Sequence, residues 1–439
     1  MKINSVRTVL RHSASRWQVA AIVGAIIVCS LSARANEANY QQYVIGDRAA
    51  GMGGAASALG TALDASYYNP AGLAYTKQST ISISASLYGW QRYRSERALY
   101  PDEDLQTSSF ITVPPAMGLV FFAAPETAVG LAAFVPYRNS MSEIIAFTKD
   151  KNFYNASLDD QTIMVGPSAA HAFSKEFSVG LGVYGVYRNL SSFQSVYLNN
   201  YSYSASQSLK YKTFGMLGNA GLQYRPTDNW RFGAAVQSPS FGIWGNGEYE
   251  GNRSVDDSGQ MVNEFEHADN MNAEYRIPAK FTVGAGWEKE KVCGFGLDVT
   301  WHLANSYNRL SGHSDLSEGG EPLTSEYVNQ GVVDVNLGGE YYIAEAYPIR
   351  AGFFTTRSSA PDVDLNKPDY PAQINEYGVT FSVGRELQNI LMSVGVNYIF
   401  GSGDNFGYTI DPDTQEVVRA ITAAKESQLY LFFNTSYMF

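Results

Sequence analysis

From Ser79 onward, apolar side chains recur at every second position. Over residues 79–90, Ile81, Ile83, Ala85 and Leu87 fall on one face and Ser82, Ser84 and Ser86 on the other. The same alternation runs through 177–187, through Phe281, Val283, Ala285 and Trp287, through Phe295, Leu297, Val299 and Trp301, and through Val333, Val335, Leu337 and Tyr341. A period of two marks strands with one face in an apolar medium. The pattern predicts about fourteen strands, near 79–91, 110–124, 127–138, 161–174, 176–189, 208–225, 229–239, 279–289, 293–303, 332–343, 347–356, 376–386, 389–400 and 427–439, each close to the ~9–11 residues that span a bilayer when tilted.

The connections alternate in length. Short turns are expected at Ala124-Pro125-Glu126, Ser174-Lys175, Pro226-Thr227-Asp228, 288–292, Ala344-Glu345-Ala346 and Glu386-Leu387-Gln388, and long polar loops at 241–278 and 304–331. Short turns on one side and long loops on the other characterise barrels of the bacterial outer membrane, and lipid requires such a sheet to close. The expected fold is therefore all-β, a transmembrane antiparallel β-barrel. Trp90, Tyr137, Tyr187, Trp230, Trp287, Trp301 and Tyr437 lie near strand ends, where interfacial girdles form against outer-membrane lipid and lipopolysaccharide. The last strand carries Leu429, Leu431, Phe433, Tyr437 and Phe439 on one face, and a chain ending in this way on Phe439 resembles bacterial outer-membrane barrels, which implies recognition by the barrel assembly machinery.

Composition agrees with a surface that lipid partly solvates. Aromatic residues reach 13% and charged residues only 17%, against about 25% charged in ordinary soluble domains. Residues 1–35 have a basic start, an apolar run over 19–33 and an Ala33-Arg34-Ala35 cleavage pattern, which predicts a signal peptide. Without it the chain has 26 basic and 42 acidic residues, a net charge of −16, which argues against a nucleic-acid partner. Only Cys293 remains, so no internal disulfide forms. Beyond the leader no apolar run is long enough for a membrane helix.

Between leader and barrel lies a nearly uncharged stretch rich in Gly and Ala, residues 46–75. Asn69 before Pro70 has the form of a helix start, and Gly51, Gly53 and Gly54 permit tight backbone and close approach. The glycine cluster lacks the preceding strand and following lysine of a phosphate loop. Arg48-Ala49-Ala50-Gly51-Met52-Gly53-Gly54-Ala55, Asp64-Ala65-Ser66 and Asn69-Pro70-Ala71-Gly72-Leu73 resemble the N-terminal hatch of the FadL family of outer-membrane transporters for long-chain fatty acids and hydrocarbons. The resemblance implies fourteen strands over 79–439, a hatch over 36–78 plugging the lumen, and passive uptake of hydrophobic molecules that leave sideways through the wall. The same wording also resembles relatives that serve as accessory barrels in protein secretion, and a general diffusion porin is a third class.

Proline removes a ladder hydrogen bond, so Pro114, Pro115, Pro136 and Pro167, in consecutive segments, place the expected lateral opening at 130–136, with Gly130, Pro136 and Pro167 as its candidates. The alternative is that these prolines mark strand rims. Arg138, Arg188, Arg231, Lys280, Asp298, His302, Asp334, Glu340 and Arg350 face the expected lumen; Arg188, Lys280 and Arg350 are the candidates for an acid headgroup. Asp298 and His302 are too far apart along one strand to form a dyad. No catalytic motif, metal-ligand spacing or cofactor fingerprint appears, and the acidic stretch 248–269 lacks calcium-loop spacing and is expected to be a solvated loop.

Overall fold

Where alternating residues meet lipid on one side and a filled lumen on the other, a strand must pair on both edges, and here every predicted segment does so over most of its length. A computed structural model of the chain describes residues 36–146, 153–198, 203–257, 260–313, 322–366, 371–412 and 417–439; the expected signal peptide, 1–35, lies outside the described residues. Among the described residues, nineteen strands form one antiparallel sheet. They are β1 (Thr80–Tyr100), β2 (Glu103–Val113), β3 (Ala116–Ala124), β4 (Thr127–Ala146), β5 (Phe153–Ala172), β6 (Phe177–Leu198), β7 (Tyr203–Tyr224), β8 (Trp230–Gln237), β9 (Phe241–Asp257) and β10 (Gln260–Ala273). There follow β11 (Lys280–Lys289), β12 (Cys293–His302), β13 (Asn305–His313), β14 (Pro322–Asn329), β15 (Val332–Ile343), β16 (Tyr347–Thr356), β17 (Gln373–Glu386), β18 (Ile390–Ile410) and β19 (Val417–Met438).

Five crossings are each made of two strands end to end: β2 with β3, β8 with β9, β10 with β11, β12 with β13, and β14 with β15. Both members of such a pair lie along the same neighbouring crossing, as β2 and β3 lie along β1 and β10 and β11 lie along β9 and β8. Fourteen crossings result, and β19 closes on β1 from Thr80↔Met438 to Ser95↔Ala424. Each of the fourteen predicted segments falls on a different one of these crossings and overruns its strands by at most a residue or two.

Three expectations are corrected. The stretches 241–278 and 304–331 are not long loops over their described residues: β9 pairs with β10 and β13 with β14, so the sheet rises as hairpins past the membrane. Out in water both faces of a sheet are free to be polar, which erases the period-two signal while the ladder continues. The expected solvated loop at 248–269 is part of the same β9–β10 hairpin. Tyr137 is not in a girdle; it is buried, because a bulge in β4 between Phe134↔Met164 and Tyr137↔Thr162 reverses which residues face inward. Trp90, Tyr187, Trp230, Trp301 and Tyr437 are exposed as expected.

The core lies between the inner wall and residues 36–76. Tyr43, Val44, Ile45, Ala50 and Leu63 pack against Ile111, Phe134, Tyr184, Phe354, Ile399 and Phe432. Above it, Leu105, Tyr154, Val196, Phe406 and Tyr408 fill the part of the barrel furthest from the short turns. Leu181 is exposed in the outward apolar band, four positions beyond Phe177 at the short-turn rim. Leu181→Arg is expected to lower unfolding stability in liposomes by about 2–4 kcal/mol, and Phe177→Arg by about 0–1 kcal/mol, because cost follows depth in lipid. Urea titrations followed by tryptophan fluorescence check the difference.

Candidate functional site

Residues 36–76 are folded by short local devices. Helix α1 (Arg48–Gly51) is a single turn, α2 spans Ala62–Tyr68, and a 3-10 helix follows at Pro70–Tyr75. The Asp64 carboxylate accepts from the backbone N–H of Asp47 and Ala49, both at 2.8 Å, and so caps α1 from a distance. Burial, with the nearby Asp47 charge, pushes the Asp64 carboxyl up to about 6. Asn69 caps the 3-10 helix by accepting from Ala71 N at 3.1 Å, with Pro70 at the first position, as the sequence predicts. Gly53 and Gly54 hold φ of +62° and +82°, where a side chain would be strained. At Gly51 a Cβ would stand 2.1 Å from Ser382 Oγ, so the wall leaves no room for one.

The segment bonds to strands on every side of the sheet. Asn69 Nδ2 donates to Leu222 O at 3.0 Å. Gly53 N donates to Thr380 Oγ1 at 3.0 Å, and Ser178 Oγ donates to Ala71 O at 3.0 Å. Asp298 accepts from Ala56 N at 2.9 Å, Ser57 N at 2.8 Å and Ser57 Oγ at 2.6 Å. Asp298 therefore positions backbone rather than meeting His302, which stacks on Tyr40 with centroids 4.4 Å apart. Gly72 is buried in the 3-10 turn.

Two charge clusters bracket this segment. At the short-turn end Arg48 meets Glu288 at 3.0 Å and Glu340 at 2.9 Å, Arg231 meets Glu288 at 2.8 Å, and Arg350 pairs with Glu340. At the other end Arg188 binds Asp160 with two bonds of 2.9 and 2.6 Å, Glu37 joins it, and Arg309 holds Glu37 at 3.0 Å. The Arg188 guanidinium stands 4.3 Å from the ring centre of Tyr275. Arg188 and Arg350 are thus fully buried and already neutralised, and they lie in different clusters. Lys280 lies 5.3 Å over the Tyr67 ring and has no ion pair among the described residues.

Lys280, Arg188, His302, Tyr40, Tyr67 and Pro136 line one cavity of about 70 Å³. At about 30 Å³ per water, that holds a couple of water molecules. Sequence reasoning missed Glu37, Asp160, Arg309 and the tyrosines around them. Asp160 stands on the inward register of β5, but no local pattern tells that it would meet Arg188.

The wall beside this cavity is interrupted. β3 pairs with β4 from Ala124↔Thr127 to Ala116↔Phe134, and among the described residues no ladder joins β2 to the rest of β4. Val135 N donates to Pro115 O at 2.9 Å, the Tyr43 hydroxyl donates to Val135 O, and Arg138 N donates to Gln42 Oε1 at 2.9 Å. Pro136 is in the bulge where pairing fails. Gly130 is not: it pairs with Val120 and with Ser168, because a glycine keeps both its ladder bonds. Pro167 pairs in register with Leu131, and only its β6 side lacks bonds, between Val165↔Gly185 and Ser168↔Gly182.

A closed antiparallel barrel with an outward apolar band and an occupied lumen defines a multi-pass protein of the bacterial outer membrane. The chain belongs to the outer membrane protein transport protein family (OMPP1/FadL/TodX), whose model matches residues 26–439. Among solved structures it is similar to a Pseudomonas aeruginosa FadL homologue, with a TM-score of 0.63 at 16% identity over 91% of this chain and 100% of that one. The P. putida toluene transporter TodX gives 0.64 at 14% over 90% and 99%, and the Ralstonia pickettii toluene transporter TbuX 0.61 at 14% over 90% and 98%. No curated protein sequence matches.

Asp298→Ala would leave the Ala56 and Ser57 N–H groups without an acceptor, at about 1–3 kcal/mol for each buried donor. The expected result is a lower thermal transition and faster proteolysis within 46–75, checked by calorimetry and limited proteinase K digestion followed by mass spectrometry.

Proposed function

We propose that this barrel takes up apolar molecules, long-chain fatty acids or hydrocarbons, that residues 36–78 are its plug, and that cargo leaves sideways through the wall at Val135–Pro136. The observation that carries the reading is the interrupted pairing of β2 with β4 directly beside the cavity that Pro136 lines. Membership of a transport family and the toluene transporters among its structural relatives support an apolar cargo. A cavity of about 70 Å³ is far below the ~300 Å³ of a small-molecule pocket, so Tyr40 and Tyr67, which the plug contributes, must shift before cargo enters. Lys280 is the one predicted headgroup residue that has no ion pair among the described residues, and it is the choice to meet an acid.

Deleting Pro136 removes the extra residue of the bulge and lets β4 run in register along β5. Uptake of labelled oleate or toluene by cells carrying that variant is expected to fall at least about tenfold, while folding, read as the heat-dependent gel shift of intact barrels, is retained. Unchanged uptake would sink the lateral route. Deletion of 46–75 is expected to raise single-channel conductance in planar bilayers; an unchanged conductance counts against a plug.

A further inference from the structure

The outer face of the barrel carries a basic patch that uptake does not use. On β1 the side chains that point to lipid are Tyr88 and Trp90, followed by Arg92 and Arg94, all exposed. From Thr80 to Arg92 the strand advances about 40 Å at roughly 3.3 Å per residue, or about 30 Å along the membrane normal at a tilt of ~40°. The apolar band is about 25 Å tall, so Arg92 stands just past its edge on the side away from the short turns. That side is the outer leaflet.

In the β1–β19 ladder Arg94 is directly opposite Lys425, and Arg92 is opposite Ser427, one pair nearer the lipid. Like charges set opposite each other across strands are destabilising unless an anion lies between them. Asp104 engages Arg94, with Nε and Nη2 at 3.0 and 2.7 Å from its Oδ2. Arg92 and Lys425 have no ion-pair partner among the described residues. Glu426 is on the inward register and is held by Gln428 at 2.8 Å. The three cations edge a groove of about 550 Å³ whose lower border is aromatic, with the Tyr377 and Phe400 rings 6.1 Å apart.

We propose that Arg92, Arg94 and Lys425 bind the phosphate of an outer-leaflet glycolipid, lipid A, whose acyl chains lie along Trp90, Phe400 and Tyr377. The position selects a lipid phosphate over a free one, because the cations sit directly above an apolar wall. This site is independent of the uptake reading, and neither result decides the other.

Native mass spectrometry of the full barrel in detergent, titrated with bis-phosphorylated lipid A or with its dephosphorylated form, tests the proposal. Bis-phosphorylated lipid A is expected to bind at least about tenfold more tightly, and Arg92→Ser with Lys425→Ser to abolish that preference, as loss of charge-assisted hydrogen bonds requires. Equal binding of the two lipids by the unaltered barrel overturns the proposal without recourse to any variant. So does a folded double variant that keeps the preference, or displacement of lipid A by millimolar inorganic phosphate, which would make this a free-anion site.

Discussion

A peptide group in hydrocarbon has no water to bond, so a sheet that enters a membrane must pair every strand or cover what it leaves open. That constraint closes β19 on β1 and also governs the one place where the wall departs from it. Past Ala116↔Phe134 the second and third crossings lack a common ladder, yet several backbone groups freed there have partners. Val135 O is met by Tyr43 and Arg138 N by Gln42, both from the segment inside the lumen, and Ser108 N by Glu143 at 2.9 Å. Interior and interruption therefore stabilise each other.

The same constraint explains what was legible in the sequence. Where one face meets lipid the alternation persists, interrupted only locally by bulges such as those at Ser84/Ser86 in β1 and at Pro136 in β4, and all fourteen crossings are visible from it. Where the hairpins of β9–β10 and β13–β14 stand in water, nothing enforces alternation, and their sequence has the character of polar loops. Tyr137 fell on the wrong face because one extra residue reverses every side chain after it, and Pro136, the visible mark of that bulge, does not say on which side it lies. The N-terminal fold was legible at Asn69-Pro70 and at the glycines because caps and positive φ are local. Asp298 and Glu340 are assignable to the lumen by parity, but their partners belong to other strands or to the segment, and no spacing encodes them; Asp160 precedes the predicted segment 161–174 and so has no parity to read.

Charge placement makes the lumen polar, with its two arginine clusters nearly self-neutralised. The segment supplies one member to each buried cluster: Glu37 between Arg188 and Arg309, and Arg48 between Glu288 and Glu340. Breaking a buried pair by taking one partner away costs about 3–5 kcal/mol, since the other charge is left stranded. Complete withdrawal of residues 36–76 would strand charges at both ends of the lumen at once.

A smaller displacement meets far less resistance. Tyr40 and Tyr67 border the cavity mainly through ring contacts with His302, Lys280 and Phe134, while the polar anchors at Asp298, Thr380 and Leu222 hold residues 51–57 and 69. The stretch from Tyr40 to Val44 lies between the Glu37 anchor and α1; Tyr40 lines the cavity, and Gln42 and Tyr43 meet the freed edge of β4. Moving that stretch alone would widen the cavity and remove two partners from the freed edge of β4, leaving both charge clusters intact. Within this architecture, opening the pocket and loosening the wall are consequences of one displacement, because the same few residues close both.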